Sequence, residues 1–299
     1  MTLLLDVFLP VLVVLIMTIV GMDLRFTDFL RVRRYPLLVP ATIVSQWVAA
    51  ILVAVLVGRL LELPQAVAGG VLLLAAAPVA SLSNYYTQLA RGHLALAVTV
   101  TAVSNVFAVV ATPLVATIGF RMFLGENASV ELPLVRLVQQ TVAVLLLPLL
   151  VGMSIRHCAA AWTLRFRSQL QLLAALAIAT VFGFVVVNQS TAIGKDFGTL
   201  LATSLLFTLT TLGIGLIVVR LLTRSVRDRR ALLWGFPARN VAVAVFIATA
   251  VVGQAEMASF AAVLLATQLA LFVPLGGGRK LHRWRCGRNL HTPAGWRFR

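Results

Sequence analysis

Ala77-Pro78-Val79-Ala80-Ser81-Leu82-Ser83-Asn84 interrupts one long apolar span at its middle, and Gly235-Phe236-Pro237-Ala238-Arg239-Asn240 interrupts another in the same way. In each stretch a proline, which has no backbone N–H to give, is followed by amide or charged residues. Inside a bilayer every backbone N–H and C=O needs a partner. A helix is therefore broken at membrane depth only where protein or a water-lined cavity takes over its hydrogen bonds. Two breaks at corresponding places in two halves of a chain point to a transporter's binding site.

The rest of the chain fits a membrane setting. Of its 299 residues 61% are hydrophobic and 11% charged, and its mean hydropathy is +1.00, where soluble domains carry about a quarter charged residues. Counting apolar runs of roughly 17 to 25 residues gives nine expected transmembrane helices, near 3–22, 36–57, 65–90, 93–117, 132–154, 169–187, 199–221, 231–252 and 258–276. The first has no basic leader or small-residue cleavage site and runs into Gly21-Met22-Asp23, so it is read as a mature helix. The net charge of +16 has a topological explanation rather than a nucleic-acid one. Twenty of the twenty-five basic residues fall in alternate loops and the tail, among them Arg31, Arg33, Arg34, Arg91, Arg156, Arg227, Arg229, Arg230 and Arg279, whereas the intervening loops hold Arg59, Arg121 and Lys195. By the positive-inside rule the N-terminus is outside and the C-terminus cytoplasmic, in a cell membrane (inner or plasma).

Cys158 and Cys286 both lie in basic segments on the reducing side, so no disulfide is expected. His282 and Cys286 are two potential ligands in a basic tail, too few for a structural metal site. No structural metal is expected, and no cofactor unless sodium serves as one. With no membrane-embedded His or Cys, and with Asp6 near a span end, the paired nucleophile and base of an intramembrane enzyme are missing, and no enzymatic activity is expected. A phosphate-binding Gly-x-x-x-x-Gly-Lys-Ser/Thr loop is absent as well.

Polar residues within the spans give the candidate site. Ser83 and Asn84 follow the first break, where a reopened helix offers free N–H groups and a positive dipole end. Thr101 and Asn105, four residues apart, share a helix face that could address the same cavity. Gln46 lies at the middle of the second span. For Gln46 and Asn105 an interhelical hydrogen bond explains the residue as well as ligand binding does. Arg239 is the most informative, because an arginine at the centre of a span costs at least about 2.5–3.5 kcal/mol on insertion scales and so faces a cavity or partner. The alternative is that its guanidinium ties backbone carbonyls freed at Pro237. Asn240 completes the set. The segment 119–132 separates the chain into 1–126, a first half of four spans, and 127–277, a second half of five. Residues 278–299 are read as a disordered basic tail. The first broken span enters from the outer side and the second from the inner side, as an inverted repeat requires.

At these residues the chain resembles the bile acid:sodium symporter family, within the wider group of bile acid, arsenite and riboflavin transporters. The resemblance runs through Ala77-Pro78 to Ser83-Asn84, Leu89-Ala90-Arg91-Gly92, Ala95-Leu96-Ala97-Val98 and Thr101. Gly21-Met22-Asp23-Leu24 and Asn240-Val241-Ala242 support it. It implies an all-α polytopic fold with inverted repeats of five spans, the first one missing here, and two broken helices that cross near the bilayer centre. It also implies a core domain that moves against a panel formed by the first, fifth and sixth spans. The family's sodium-binding positions fall on Gln46, Ser83, Asn84, Ala97, Thr101, Gly235, Phe236, Ala238 and Arg239. Gly235 stands where the family has a glutamate, Arg239 where it has a glutamine, and Ala97 where it has a serine. A fixed guanidinium about 4 Å from a sodium ion repels it by ~4 kcal/mol at an effective dielectric of 20, which argues against sodium coupling at the usual sites.

The expected function is a secondary transporter of an organic anion, bile acid-like or a small carboxylate, with the lipid bilayer and that anion as its partners and Arg239 in place of a bound cation. The alternatives are a metalloid (arsenite) efflux carrier, weakened by the lack of a cysteine within a span, and a non-transporting receptor or scaffold on the same fold. Substrate identity, direction and oligomeric state are not encoded in any motif.

Overall fold

The computed structural model describes residues 7–124 and 134–286, which are helical apart from short connections. In chain order the helices are α1 (Leu9–Asp23), α2 (Phe26–Leu30), α3 (Leu38–Leu60), α4 (Gln65–Ala75), α5 (Leu82–Leu89), α6 (Leu94–Leu124), α7 (Leu134–Thr141), α8 (Leu147–Cys158), α9 (Ala160–Arg165), α10 (Arg167–Asn188), α11 (Ser190–Leu222), α12 (Val226–Leu233), α13 (Val241–Phe246) and α14 (Ala258–Cys286). Among the described residues six helical segments are long and apolar enough to cross a membrane, or seven if α1 is joined to the helical turns of Phe26–Arg34 across a 66° bend. Two further apolar segments, Gln65–Ala75 and Val241–Val251, are shorter and border the interruptions at Pro78 and Pro237. Asp6, the 126/127 boundary and residues 287–299 lie outside the described residues.

Each irregularity has a local cause. Leu24 is extended, and the buried Asp28 carboxylate accepts the N–H of Arg25 at 2.8 Å and pairs with Arg31, which starts α2 in a new direction. Pro148 lies one residue inside α8, and the preceding residues Val142–Leu146 widen into a π turn that accommodates the missing N–H and the proline ring. Lys195 was expected in a loop between two spans. It instead lies inside α11, because Ser190–Phe197 contains no proline and the helix absorbs the polar stretch with a kink at Asp196 (φ −109°, ψ 17°). Residues 278–286, read from sequence as the start of a disordered tail, continue α14, since Gly276-Gly277-Gly278 does not stop the helix.

The helices pack in two associations. α1 lies against α8 and α10, while α3, α4, α6, α11 and α14 surround the interruptions. The α1–α8 contact is close because two glycines face it: a Cβ on Gly21 would lie 2.2 Å from the Leu149 carbonyl oxygen, and one on Gly152 would lie 2.0 Å from that of Thr18. Small residues at such contacts let membrane helices gain dispersion energy backbone to backbone. We expect Gly152→Val to destabilise the protein by about 1–3 kcal/mol through overpacking, read as a lower thermal midpoint in detergent. Gly213→Ala on α11, whose added Cβ meets nothing within 4 Å, should be neutral or stabilising by up to about 1 kcal/mol.

Candidate functional site

At the centre of the second association the two interruptions meet. Val79 and Arg239 form an isolated antiparallel bridge. It is closed by Ala80 N–H to the Ala238 carbonyl at 3.0 Å and Asn240 N–H to the Pro78 carbonyl at 2.8 Å. Each broken segment thus supplies a donor and an acceptor to the other. Three further backbone groups are met by side chains from neighbouring helices. Thr112 on α6 donates to the Ala76 carbonyl at 2.6 Å, Ser104 on α6 accepts from Val79 N–H at 3.2 Å, and Gln268 on α14 donates to the Pro237 carbonyl at 2.8 Å. These three residues carry no motif, and only their position on helices that pack against the breaks reveals them.

Arg239 is 2% exposed. Its guanidinium donates to the Ala77 carbonyl at 3.2 Å, in the other interruption, and to the Gln46 carbonyl on α3, and its Cζ stands 5.5 Å from the centre of the Trp47 ring. The carbonyls it ties therefore belong to its counterpart break and to a third helix, not to the turn at Pro237. The ring face adds an electrostatic contact for a desolvated cation. Among the described residues no carboxylate lies within ion-pair distance of it, and its Nε has no hydrogen-bond partner.

Gln46 is fully buried, and its amide Nε2 donates to the Leu232 carbonyl of α12 at 3.1 Å while Oε1 has no partner. A Cβ on Gly235 would fall 2.3 Å from that Nε2, so the Gln46 amide occupies the space a side chain at 235 would need. On the α5–α6 side, Thr101 Oγ1 lies 3.2 Å from Asn84 Oδ1 and also donates to the Ala97 carbonyl at 3.0 Å. Asn105 donates to the Thr101 carbonyl at 2.8 Å within its own helix, and its Oδ1 is buried and unpartnered. Ser83 is buried in the first turn of α5, whereas Asn84 and Asn240 remain partly accessible. Asn240 caps α13, accepting from Val243 N–H at 3.3 Å. The structure thus brings Gln46 and Arg239 together at the second break, and Asn84, Thr101 and Asn105 together beside the first.

A further linkage runs from His93 and Thr87 to α12. His93 Nδ1 lies 2.9 Å from Asp228 Oδ1, His93 N–H donates to the Arg227 carbonyl at 3.1 Å, and Thr87 Oγ1 donates to the Ala231 carbonyl at 3.3 Å. The turn after α5 is fastened to α12, so the two broken segments are joined at a second level. No group of three or more His, Cys, Asp or Glu residues suited to a metal occurs among the described residues.

We expect Ser104→Ala to leave the buried Val79 N–H without a partner and cost about 1–3 kcal/mol, measured as a lower midpoint of thermal unfolding. Ser45→Ala removes only a bond to its own helix at Ala41 and should leave the midpoint within about 0.5 kcal/mol of wild type.

Comparison with known proteins gives a family match that includes the first break but stops short of the second. A family model described as the sodium bile acid symporter family matches residues 10–196. A probable sodium/metabolite cotransporter of Arabidopsis thaliana, BASS1, chloroplastic, is 34% identical over 132 residues, 44% of this chain and 31% of that protein. An uncharacterized sodium-dependent transporter of Bacillus subtilis strain 168, YocS, is 27% identical over 243 residues, 79% of this chain and 72% of the relative. A probable sodium/metabolite cotransporter of Oryza sativa subsp. japonica, BASS2, chloroplastic, is 30% identical over 137 residues, 46% of this chain and 31% of that protein. The chain thus spans under a third of the length of the chloroplastic relatives.

Proposed function

The chain belongs to the sodium bile acid symporter family, and from that membership we propose that it is a secondary transporter of an organic anion, working by alternating access, in which the Arg239 guanidinium replaces a bound cation. The observation that carries this reading is the placement of Arg239, buried, without a carboxylate partner among the described residues, and bonded at once to the opposite break and to α3. A tethered positive charge there holds carbonyl oxygens together as a metal ion would and leaves the centre of the protein electropositive. Gly235 offers no carboxylate, and the Gln46 amide occupies the volume beside it, which argues against a carboxylate-lined sodium site at this break. An anion is the species such a centre attracts, and the partly accessible Asn84 and Asn240 supply amide groups beside it.

On this reading the six long helices, the bent α1–α2 segment and the two broken segments make nine spans. The halves 1–126 and 127–277 are inverted repeats, α1, α8 and α10 form the panel, and the remaining helices form the core. The packing of α1 on α8 and α10 and the reciprocal pairing of the two breaks support it. The distribution of arginines supports an outside N-terminus and a cytoplasmic C-terminus.

A second reading is favoured by one geometric fact and by the relatives' names. Asn84 Oδ1 and Thr101 Oγ1 stand 3.2 Å apart, and oxygens so placed could share a sodium ion, as the description of a sodium-dependent transporter for the Bacillus relative suggests. Uptake of labelled bile salts and short carboxylates into proteoliposomes separates the two. We expect uptake that persists without a sodium gradient and that falls at least tenfold in Arg239→Gln. Undiminished uptake by that variant rejects the tethered-cation mechanism, and a strict sodium requirement favours the second reading. Absence of saturable uptake of any tested anion counts against a carrier of this class.

A further inference from the structure

Outside the crossover, α10, α11 and α14 enclose an open cavity of about 380 Å³. Its shape follows from sequence. Ala262, Ala266 and Ala270 recur every fourth residue on α14, stack on one face and end at Cβ, leaving a furrow about 12 Å long. Phe182 and Val186 of α10 and Phe197 of α11 wall it. The one lining hydroxyl, on Thr267, donates to the Val263 carbonyl of its own helix at 2.8 Å. Water entering this space finds almost nothing to bond and is a poor filler. An empty apolar space of this size forfeits dispersion contacts on every wall. The three helices are among those apolar and long enough to cross a membrane, and Val186 and Phe197 keep 37% and 51% of their surface accessible, so the cavity opens toward hydrocarbon.

We propose that this cavity holds one acyl chain of a bilayer phospholipid, seated along the alanine face of α14. On the assignment above, the cavity lies between α10 of the panel and α11 and α14 of the core, beside the surface along which those parts would move. Thr267 is followed by Gln268, whose amide holds the Pro237 carbonyl of the second break at 2.8 Å, so a chain packed on α14 braces the helix that completes the crossover.

The test is photolabelling of the full chain in nanodiscs of phosphatidylcholine and phosphatidylglycerol doped with a phospholipid bearing a diazirine within its acyl chain, followed by peptide mapping. We expect adducts on Phe182, Phe197 and the Ala262–Ala270 face at least fivefold above those on Leu172 and Leu176, which face outward on α10. Ala266→Phe, and separately Ala262→Leu, should reduce cavity adducts at least fivefold while leaving Leu172 labelling unchanged. Even labelling of the wild-type helices overturns the proposal whether or not either variant folds. So do cavity adducts that survive both substitutions, chain-to-chain cross-links in place of lipid adducts, or displacement of the label by a micromolar anionic substrate.

Discussion

Two interrupted segments can sit deep in this protein because each satisfies the other. Pro78 and Pro237 cannot donate, and the residues around them leave the helical pattern, so several backbone groups need partners where water is scarce. The reciprocal bonds Ala80 to Ala238 and Asn240 to Pro78 meet two of these needs with backbone alone. Thr112, Ser104, Gln268 and Arg239 meet others from outside. A buried polar group left unmet costs about 1–3 kcal/mol, a large fraction of a typical net stability of about 5–15 kcal/mol, so these bonds largely dictate which helices surround the crossover.

Arg239 carries more of this network than any other side chain. Burying an unpaired charge is costly, and here the compensation comes from carbonyl dipoles and the Trp47 ring instead of a carboxylate. Arginine suits this task better than lysine, since its planar fork reaches two acceptors on different elements at once. The positive charge at this crossing of the two breaks is covalently attached to the chain.

Much of this was legible in the sequence, for physical reasons. Apolar run length marked the long helices, and proline followed by amides marked both breaks. A lone arginine in an apolar span signalled a special site. The partners of that arginine were not legible. Ala77 lies 162 positions away and Gln46 lies 193, and no local pattern encodes such a meeting. His93 gave no signal because its partner, Asp228, lies 135 positions away. Trp47 gave no signal of its own beyond its adjacency to Gln46. The helix through Lys195 was missed because hydropathy marks where the apolar run ends and does not mark where hydrogen-bonded turns end.

The meeting of Gln46 with Gly235 also constrains how this protein could change over time. A Cβ at 235 would overlap the Gln46 amide, so the two positions are not free to vary separately. A larger residue at 235 needs the Gln46 amide, the far end of a flexible side chain, to swing aside and give up its bond to the Leu232 carbonyl. The cost of a substitution at 235 would then depend on which residue stands at 46.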